Sequence, residues 1–203
     1  MTTSAGVRAE RRGDPVGGVA AFAAAALPLG LAVATVSNQM QAVRDASPVA
    51  ERVARLALAT APLLAAGAAA HLLAALSTSR LQRPPSWATR LGLAGALAGA
   101  ALGVAAAVVL VRTAWTGRDA ALGGALVEFV PVGVGVWALC VAAADWRLRL
   151  WPAWLRVAGT VFGGAAMVQP GFPPLGLVSL LTGLAWWIGL GVRLLRAPRS
   201  TGS

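Results

Sequence analysis

Long apolar runs alternate along the chain with short segments that carry most of its charge. Four runs, residues 15–36, 53–76, 91–111 and 122–144, are almost free of charged side chains. A helix needs about 20 apolar residues to cross a hydrocarbon core of roughly 30 Å, and a helix satisfies its own backbone hydrogen bonds inside lipid. Each of these four runs therefore predicts a transmembrane helix.

The apolar pattern resumes over residues 151–195 but is broken at 169–174, where the sequence reads Gln-Pro-Gly-Phe-Pro-Pro. Proline and glycine in this density end one helix and begin another. The pattern predicts a short helical hairpin as the last two of six helices. Because its first arm, residues 151–168, is short for a full crossing, a re-entrant pair that dips into the bilayer and returns is the alternative.

The composition agrees with a membrane environment. Of 203 residues, 58% are hydrophobic and 12% are charged, whereas about a quarter of a soluble domain is charged. The sequence thus predicts an all-α, polytopic transmembrane bundle over residues 15–195, between disordered cytoplasmic tails at 1–14 and 196–203. A net charge of +10 fits contact with the lipid bilayer, so we expect no nucleic acid partner.

Arginine supplies all seventeen basic side chains, and their placement predicts an orientation. Twelve lie on one predicted side of the membrane, in or near the two tails and the loops after the second and fourth helices. Five lie on the other side, in or near the loops after the first and third helices. Because short cytoplasmic loops carry the excess of basic residues, we expect a bacterial inner-membrane protein with both termini in the cytoplasm. A cleaved signal peptide ending near residues 32–34 is the competing interpretation, but the first apolar run exceeds a typical signal core.

Tryptophans fall into two groups. Five lie at predicted helix ends, where an indole prefers the headgroup level: Trp87, Trp115, Trp146, Trp151 and Trp154. The other three, Trp137, Trp186 and Trp187, lie inside predicted spans. Packing bulk and the lining of a pocket are both open interpretations of the second group.

A ridge of glycine marks the third helix. Gly95, Gly99 and Gly103 recur every fourth residue and therefore share one face. Small residues at this spacing let helix backbones approach closely inside lipid. We expect the ridge to pack against another helix of the same chain, and a homo-oligomer or a second membrane protein is the alternative partner.

Glu128 is the acidic residue that lies well inside a predicted span, where an ionised side chain costs a few kcal/mol and usually has a partner or a function. Arg55 and Arg112 begin and end neighbouring spans at about that depth, so an ion pair with either would explain it structurally. Handling of a proton or a cation is the functional alternative, and a neutral hydrogen-bonded carboxyl or a carboxyl at the lipid interface is the third interpretation. His71, the lone histidine, lies roughly 18 Å away along the helix axis and is expected to be packed.

The chemistry of an enzyme is missing from the sequence pattern. Cys140 is the single cysteine, which excludes an intrachain disulfide and a paired-cysteine metal site. The sequence has no HExxH motif, no Walker A loop and no pair of intramembrane aspartates. We therefore expect no enzymatic activity, no metal and no cofactor.

The last quarter of the chain resembles uncharacterised small six-span bacterial membrane proteins of the domain-of-unknown-function type. In both, a basic loop and Pro-x-Trp-Leu open a short glycine-containing helix, and the last helix ends in a Trp, Gly-Val-Arg-Leu-Leu-Arg pattern. The matching residues here are Arg147, Arg149, Pro152, Trp154, Leu155 and Gly159, followed by Trp186, Trp187 and residues 191–196. The resemblance implies six spans but no activity or ligand.

Two function classes follow. The first is an accessory or scaffolding membrane subunit, and the alternative is a small permease or proton-coupled carrier that uses Glu128. A carrier should have a water-filled cavity that reaches Glu128. A scaffold should bury Glu128 against Arg55 or Arg112.

Overall fold

A computed structural model describes residues 14–45, 48–82 and 86–196 of the chain. These residues form six helices: α1 (Pro15–Asp45), α2 (Val49–Leu81), α3 (Trp87–Thr116), α4 (Ala120–Leu148), α5 (Ala153–Val168) and α6 (Leu175–Arg196). The predicted all-α bundle is confirmed, and a break at 169–174 separates α5 from α6. The predicted tails, residues 1–14 and 196–203, lie outside the described part of the chain except for Asp14 and Arg196.

Five of the six helices are long and apolar enough to cross a membrane, and α5 is a shorter apolar helix of 16 residues. Six full crossings therefore stay a prediction. The long helices continue past the predicted spans, because the backbones of polar residues form helical hydrogen bonds as well as those of apolar residues do. The last turns of α1 also contact the first turn of α2, where the Asn38 side-chain amide donates a hydrogen bond to the Arg52 carbonyl at 3.3 Å.

The helices are arranged in a closed ring. Each helix packs against the next in chain order, and α6 packs against α1. We call the end at which α1 begins and α6 ends the basal end, and the opposite end the distal end. A ring of this kind leaves space along its axis unless side chains fill it.

Asp14 closes the ring at the basal end. Its backbone N–H donates to the Leu194 carbonyl at 2.8 Å, and its carboxylate accepts a hydrogen bond from the Gly17 N–H at 3.0 Å. The Ser77 hydroxyl donates to the same carboxylate. Asp14 therefore caps the start of α1 and ties it to the ends of α2 and α6.

A second buried carboxylate fixes the turn between α4 and α5. Asp145 is fully buried and accepts hydrogen bonds from the Leu150 N–H at 2.9 Å and the Trp151 N–H at 3.2 Å. Arg156 Nε lies 3.7 Å from the same carboxylate. Arg149 adopts a φ of 51° to end α4, and a non-glycine residue pays strain for this conformation. The bonds to Asp145 hold the turn in place despite that strain.

The glycine ridge of α3 packs inside the chain. Gly95 and Gly99 face α4, and Gly103 faces Ala68 of α2. The closest approach is between Gly99 and Gly133, where a Cβ added to Gly133 would lie 2.5 Å from the Gly99 Cα. An added Cβ would clash with the Gly99 backbone, so the two helix backbones can approach this closely only because both residues are glycine.

The Gly133→Ala variant should destabilise the bundle, because the added methyl group must push α3 away from α4. Overpacking of this kind costs about 1–3 kcal/mol. The control is Gly124→Ala in the same helix, where a Cβ would meet nothing within 4 Å. Thermal unfolding of the purified proteins in detergent, followed by circular dichroism, measures both. Equal midpoints for the two variants would contradict the close contact.

Acidification should weaken the closure at Asp14. Burial raises the pKa of this carboxyl, but the hydrogen bonds from Gly17 and Ser77 and the charge of Arg80 outweigh burial, so the pKa lies below the ordinary 3.8. The stabilisation is therefore complete above the ordinary pKa and is lost as the pH falls through the lower folded value. Between about pH 5 and pH 3, the unfolding midpoint of the wild type should fall more steeply than that of Asp14→Asn. Parallel curves would contradict this role.

Candidate functional site

An aromatic cluster fills the basal half of the ring. Trp137 of α4 packs against both Trp186 and Trp187 of α6, with ring centroids 4.9 and 5.2 Å away, and the rings of these two are 5.0 Å apart. Phe162 of α5 lies 5.6 Å from Trp186, and His71 of α2 meets Trp137 edge-on at 4.7 Å. Stacked and edge-on contacts at these separations are favourable aromatic geometries. The cluster closes the axis of the ring on the basal side.

On the distal side of this cluster the axis of the ring is hollow. A cavity of about 410 Å³ is lined by residues from all six helices. Most of the lining is alanine, leucine, valine, proline and glycine. The exceptions are aromatic or polar: Phe162 and Trp187 at the base, and His71, Ser179, Glu128 and Gln169. The volume and the sparse polar groups are typical of a small-molecule site.

The α5–α6 hairpin is short, so on this side the wall of the ring ends before it reaches the distal end of α4. A Cβ on Gly135 of α4 would lie 2.7 Å from the Gly163 carbonyl oxygen and 3.0 Å from Met167 Cγ, so Gly135 is level with the last turns of α5. From this level α5 ends within two turns, whereas α4 continues to Ala120. At 1.5 Å per residue, α4 extends roughly 15 Å beyond α5.

Glu128 lies where the cavity reaches the surface. Its side chain lines the cavity and is also exposed. Within residues 14–45, 48–82 and 86–196, Glu128 makes no ion pair. Gln169, at the end of α5, lines the cavity together with it. The rim of the cavity therefore carries a carboxylate and an amide.

Arg55 and Arg112 are not brought to Glu128. Arg55 Nη1 lies 3.7 Å from Glu51, one turn earlier in α2. Arg112 Nε lies 3.2 Å from Asp119 across the α3–α4 turn, and its side chain is largely exposed. Neither arginine lines the cavity. Each has an acidic neighbour close in the sequence, and this local pairing needs no interhelical contact.

His71 is packed at the base of the cavity. Its ring lies edge-on to Trp137 and, at 5.8 Å, to Trp187. Both ring nitrogens are buried, and neither has a hydrogen-bond partner among the described residues. Trp137 is nine residues from Glu128 along α4, which is about 13.5 Å at the helical rise. His71 and Glu128 thus share one cavity without touching, at opposite ends of it.

Two features of the site go beyond the sequence pattern. Gln169 stands out in the sequence only as the start of a helix break, yet it lies on the cavity rim. Trp187 lines the cavity, whereas Trp137 and Trp186 pack behind it. A polar side chain at the tip of an otherwise apolar hairpin is the signal that points to Gln169. No sequence signal separates the two neighbouring tryptophans.

No protein-family model, curated protein or solved structure matches this sequence. The resemblance of the last quarter to small six-span proteins therefore stays a prediction.

Replacing His71 by leucine should keep or raise the stability of the bundle. The change removes two buried nitrogens that lack partners in the described part of the chain, and an unpaired buried polar group costs about 1–3 kcal/mol. The control is Leu155→Ala, because Leu155 is fully buried and its truncation should lower the unfolding midpoint. A large loss of stability in His71→Leu would contradict this expectation and show that the imidazole stabilises the bundle, through its edge-on contacts with Trp137 and Trp187 or through a bound partner.

Proposed function

We propose that this chain is a small membrane carrier that binds a solute in the central cavity. The single observation that supports this best is an apolar cavity whose rim holds Glu128 without an ion pair among the described residues. An ionisable side chain at membrane depth is costly, and such side chains usually mark a pathway or a partner. The burial against Arg55 or Arg112 that a scaffolding role requires is absent from the described contacts.

The depth of the cavity supports the same proposal. Trp87 and Trp115 lie at opposite ends of α3 and are 66% and 82% exposed. They are separated by about 42 Å at 1.5 Å per residue, which matches a bilayer with its headgroup layers, about 40–45 Å. The midpoint between them falls near residue 101, and Gly99 lines the cavity. Sites near the bilayer midplane are the common arrangement in secondary transporters.

Two prolines lie where a carrier would need to bend. Pro28 is inside α1 and Pro131 is inside α4, and both line the cavity. Proline removes a backbone hydrogen bond from a helix and is the usual cause of a kink. Bending of α1 and α4 at these points would widen or close the space between them. The two helices flank the short hairpin on either side of the ring.

We further propose that the basal end faces the cytoplasm of a bacterial inner membrane. Seven of the described arginines lie toward this end: Arg80, Arg90, Arg147, Arg149, Arg156, Arg193 and Arg196. The positive-inside rule favours the cytoplasm for such a surface. The open rim at Glu128 then faces the outer side.

Thiol accessibility tests the carrier without knowledge of its solute. Ser179 lines the cavity, so Ser179→Cys is made in a Cys140→Ser background and treated with a membrane-impermeant thiol reagent. We expect modification from the distal side in right-side-out vesicles and also from the basal side in inverted ones. The control is Ala105→Cys, an exposed position of α3 outside the cavity, which lipid should protect.

Two results of the thiol experiment would contradict the carrier. Modification from the distal side alone would indicate a one-sided binding protein. No modification from either side would indicate a closed bundle, as expected of an accessory or scaffolding subunit.

A further inference from the structure

The chemistry of the cavity suggests the class of its solute. Resting on the proposed carrier function, we infer that the solute is a monovalent organic cation with an apolar body, held by the Glu128 carboxylate and the apolar wall. Three properties of the cavity lining lead to this class: the sign of its charge, its largely apolar surface and the small number of side-chain oxygen atoms that could coordinate a metal ion.

The described lining of the cavity carries a negative charge. Among the described residues that line the cavity, Glu128 is the one carboxylate, and no arginine lines it. An ionised carboxylate beside an apolar wall gains most from a positive charge, since Coulomb attraction strengthens as the local dielectric falls. A solute anion would be repelled by the same group. The charge of the lining therefore selects a cation.

The surface of the cavity favours an apolar body. Leu27, Leu31, Leu180 and Leu184 contribute aliphatic side chains, and Trp187 contributes an aromatic ring near the base. A small hydrated ion would gain nothing from this wall. A compound with an aliphatic or aromatic body would lose water from both surfaces on binding. The indole of Trp187 can also attract a cation inside the cavity through its ring face.

The oxygen ligands argue against a bare metal ion. Calcium takes six to eight oxygen ligands, and magnesium takes six. Among the described residues, the cavity side chains that carry oxygen are Glu128, Gln169 and Ser179. No group of three or more histidine, cysteine, aspartate or glutamate side chains that could hold a metal occurs in the described part of the chain. An ammonium or similar organic cation needs one counter-charge, and Glu128 supplies it.

The geometry gives the bound solute a direction. Glu128 and Gln169 are at the rim, whereas Trp187 and Phe162 are at the base. The rim is about 13.5 Å from the aromatic cluster beneath the base, because Trp137 of that cluster is nine positions after Glu128 in α4. The cationic group would therefore stay near the rim, and the apolar body would point toward the aromatic cluster.

Two probes of similar shape and opposite charge test the inference. Benzyltrimethylammonium carries a permanent positive charge, and phenylmethanesulfonate carries a permanent negative charge. Equilibrium binding of each is measured by calorimetry on the full chain in lipid nanodiscs. We expect the cation to bind and the anion not to bind. Glu128→Gln should weaken cation binding by at least about tenfold, and Glu128→Asp should restore part of it.

A matched control separates the site from general surface charge. Glu51 is also an exposed carboxylate, but it pairs with Arg55 and lies outside the cavity. Glu51→Gln should leave cation binding unchanged. The unfolding midpoint of each variant, measured in parallel, shows whether loss of binding reflects loss of fold.

Three results would overturn the inference: no binding of the cation to the wild type, equal binding to folded Glu128→Gln, or tighter binding of the anion. These failures differ from failure of the carrier itself. Thiol access from both sides without cation binding would keep the carrier and reject this solute class. Cation binding with access from the distal side alone would keep the site and reject transport.

Discussion

Close approach of helix backbones is the constraint on which this bundle depends. Inside lipid, apolar side chains gain little from meeting one another, so helices associate through small residues that let their backbones touch. Gly99 and Gly133 provide such a contact between α3 and α4. Gly135 and Gly163 provide another between α4 and α5. Tight seams around the ring hold six helices together although part of its axis is empty.

The polar groups of the bundle are distributed accordingly. At the basal end, the Asp14 carboxylate accepts hydrogen bonds from the Gly17 N–H and the Ser77 hydroxyl and ties α1 to α2. The Asp145 carboxylate accepts hydrogen bonds from the Leu150 and Trp151 N–H groups and fixes the α4–α5 turn. At the cavity, the polar groups of Glu128 and His71 have no such partners among the described residues. The same fold thus uses carboxylates for closure at one end and leaves a carboxylate available at the other. This contrast supports the proposed site at the cavity.

Much of the fold was predictable from the sequence, because long apolar runs without charged side chains predict helices that can cross a membrane. The Gln-Pro-Gly-Phe-Pro-Pro break likewise marks the turn between α5 and α6. The site was less predictable. Glu128 stands out in one dimension, but its environment depends on which helices surround it. Arg112 has a suitable depth for pairing with Glu128, yet Asp119 is nearer once the α3–α4 turn is formed. Depth along a helix does not give direction around it.

The unequal heights of the helices have a consequence for the surrounding lipid. Since α5 and α6 end roughly 15 Å below the distal end of α4, acyl chains of the distal leaflet can occupy the step above the hairpin. The side chains that border this step then meet hydrocarbon in a thick bilayer and headgroups or water in a thin one. Membrane thickness therefore becomes a variable that sets what stands beside Glu128.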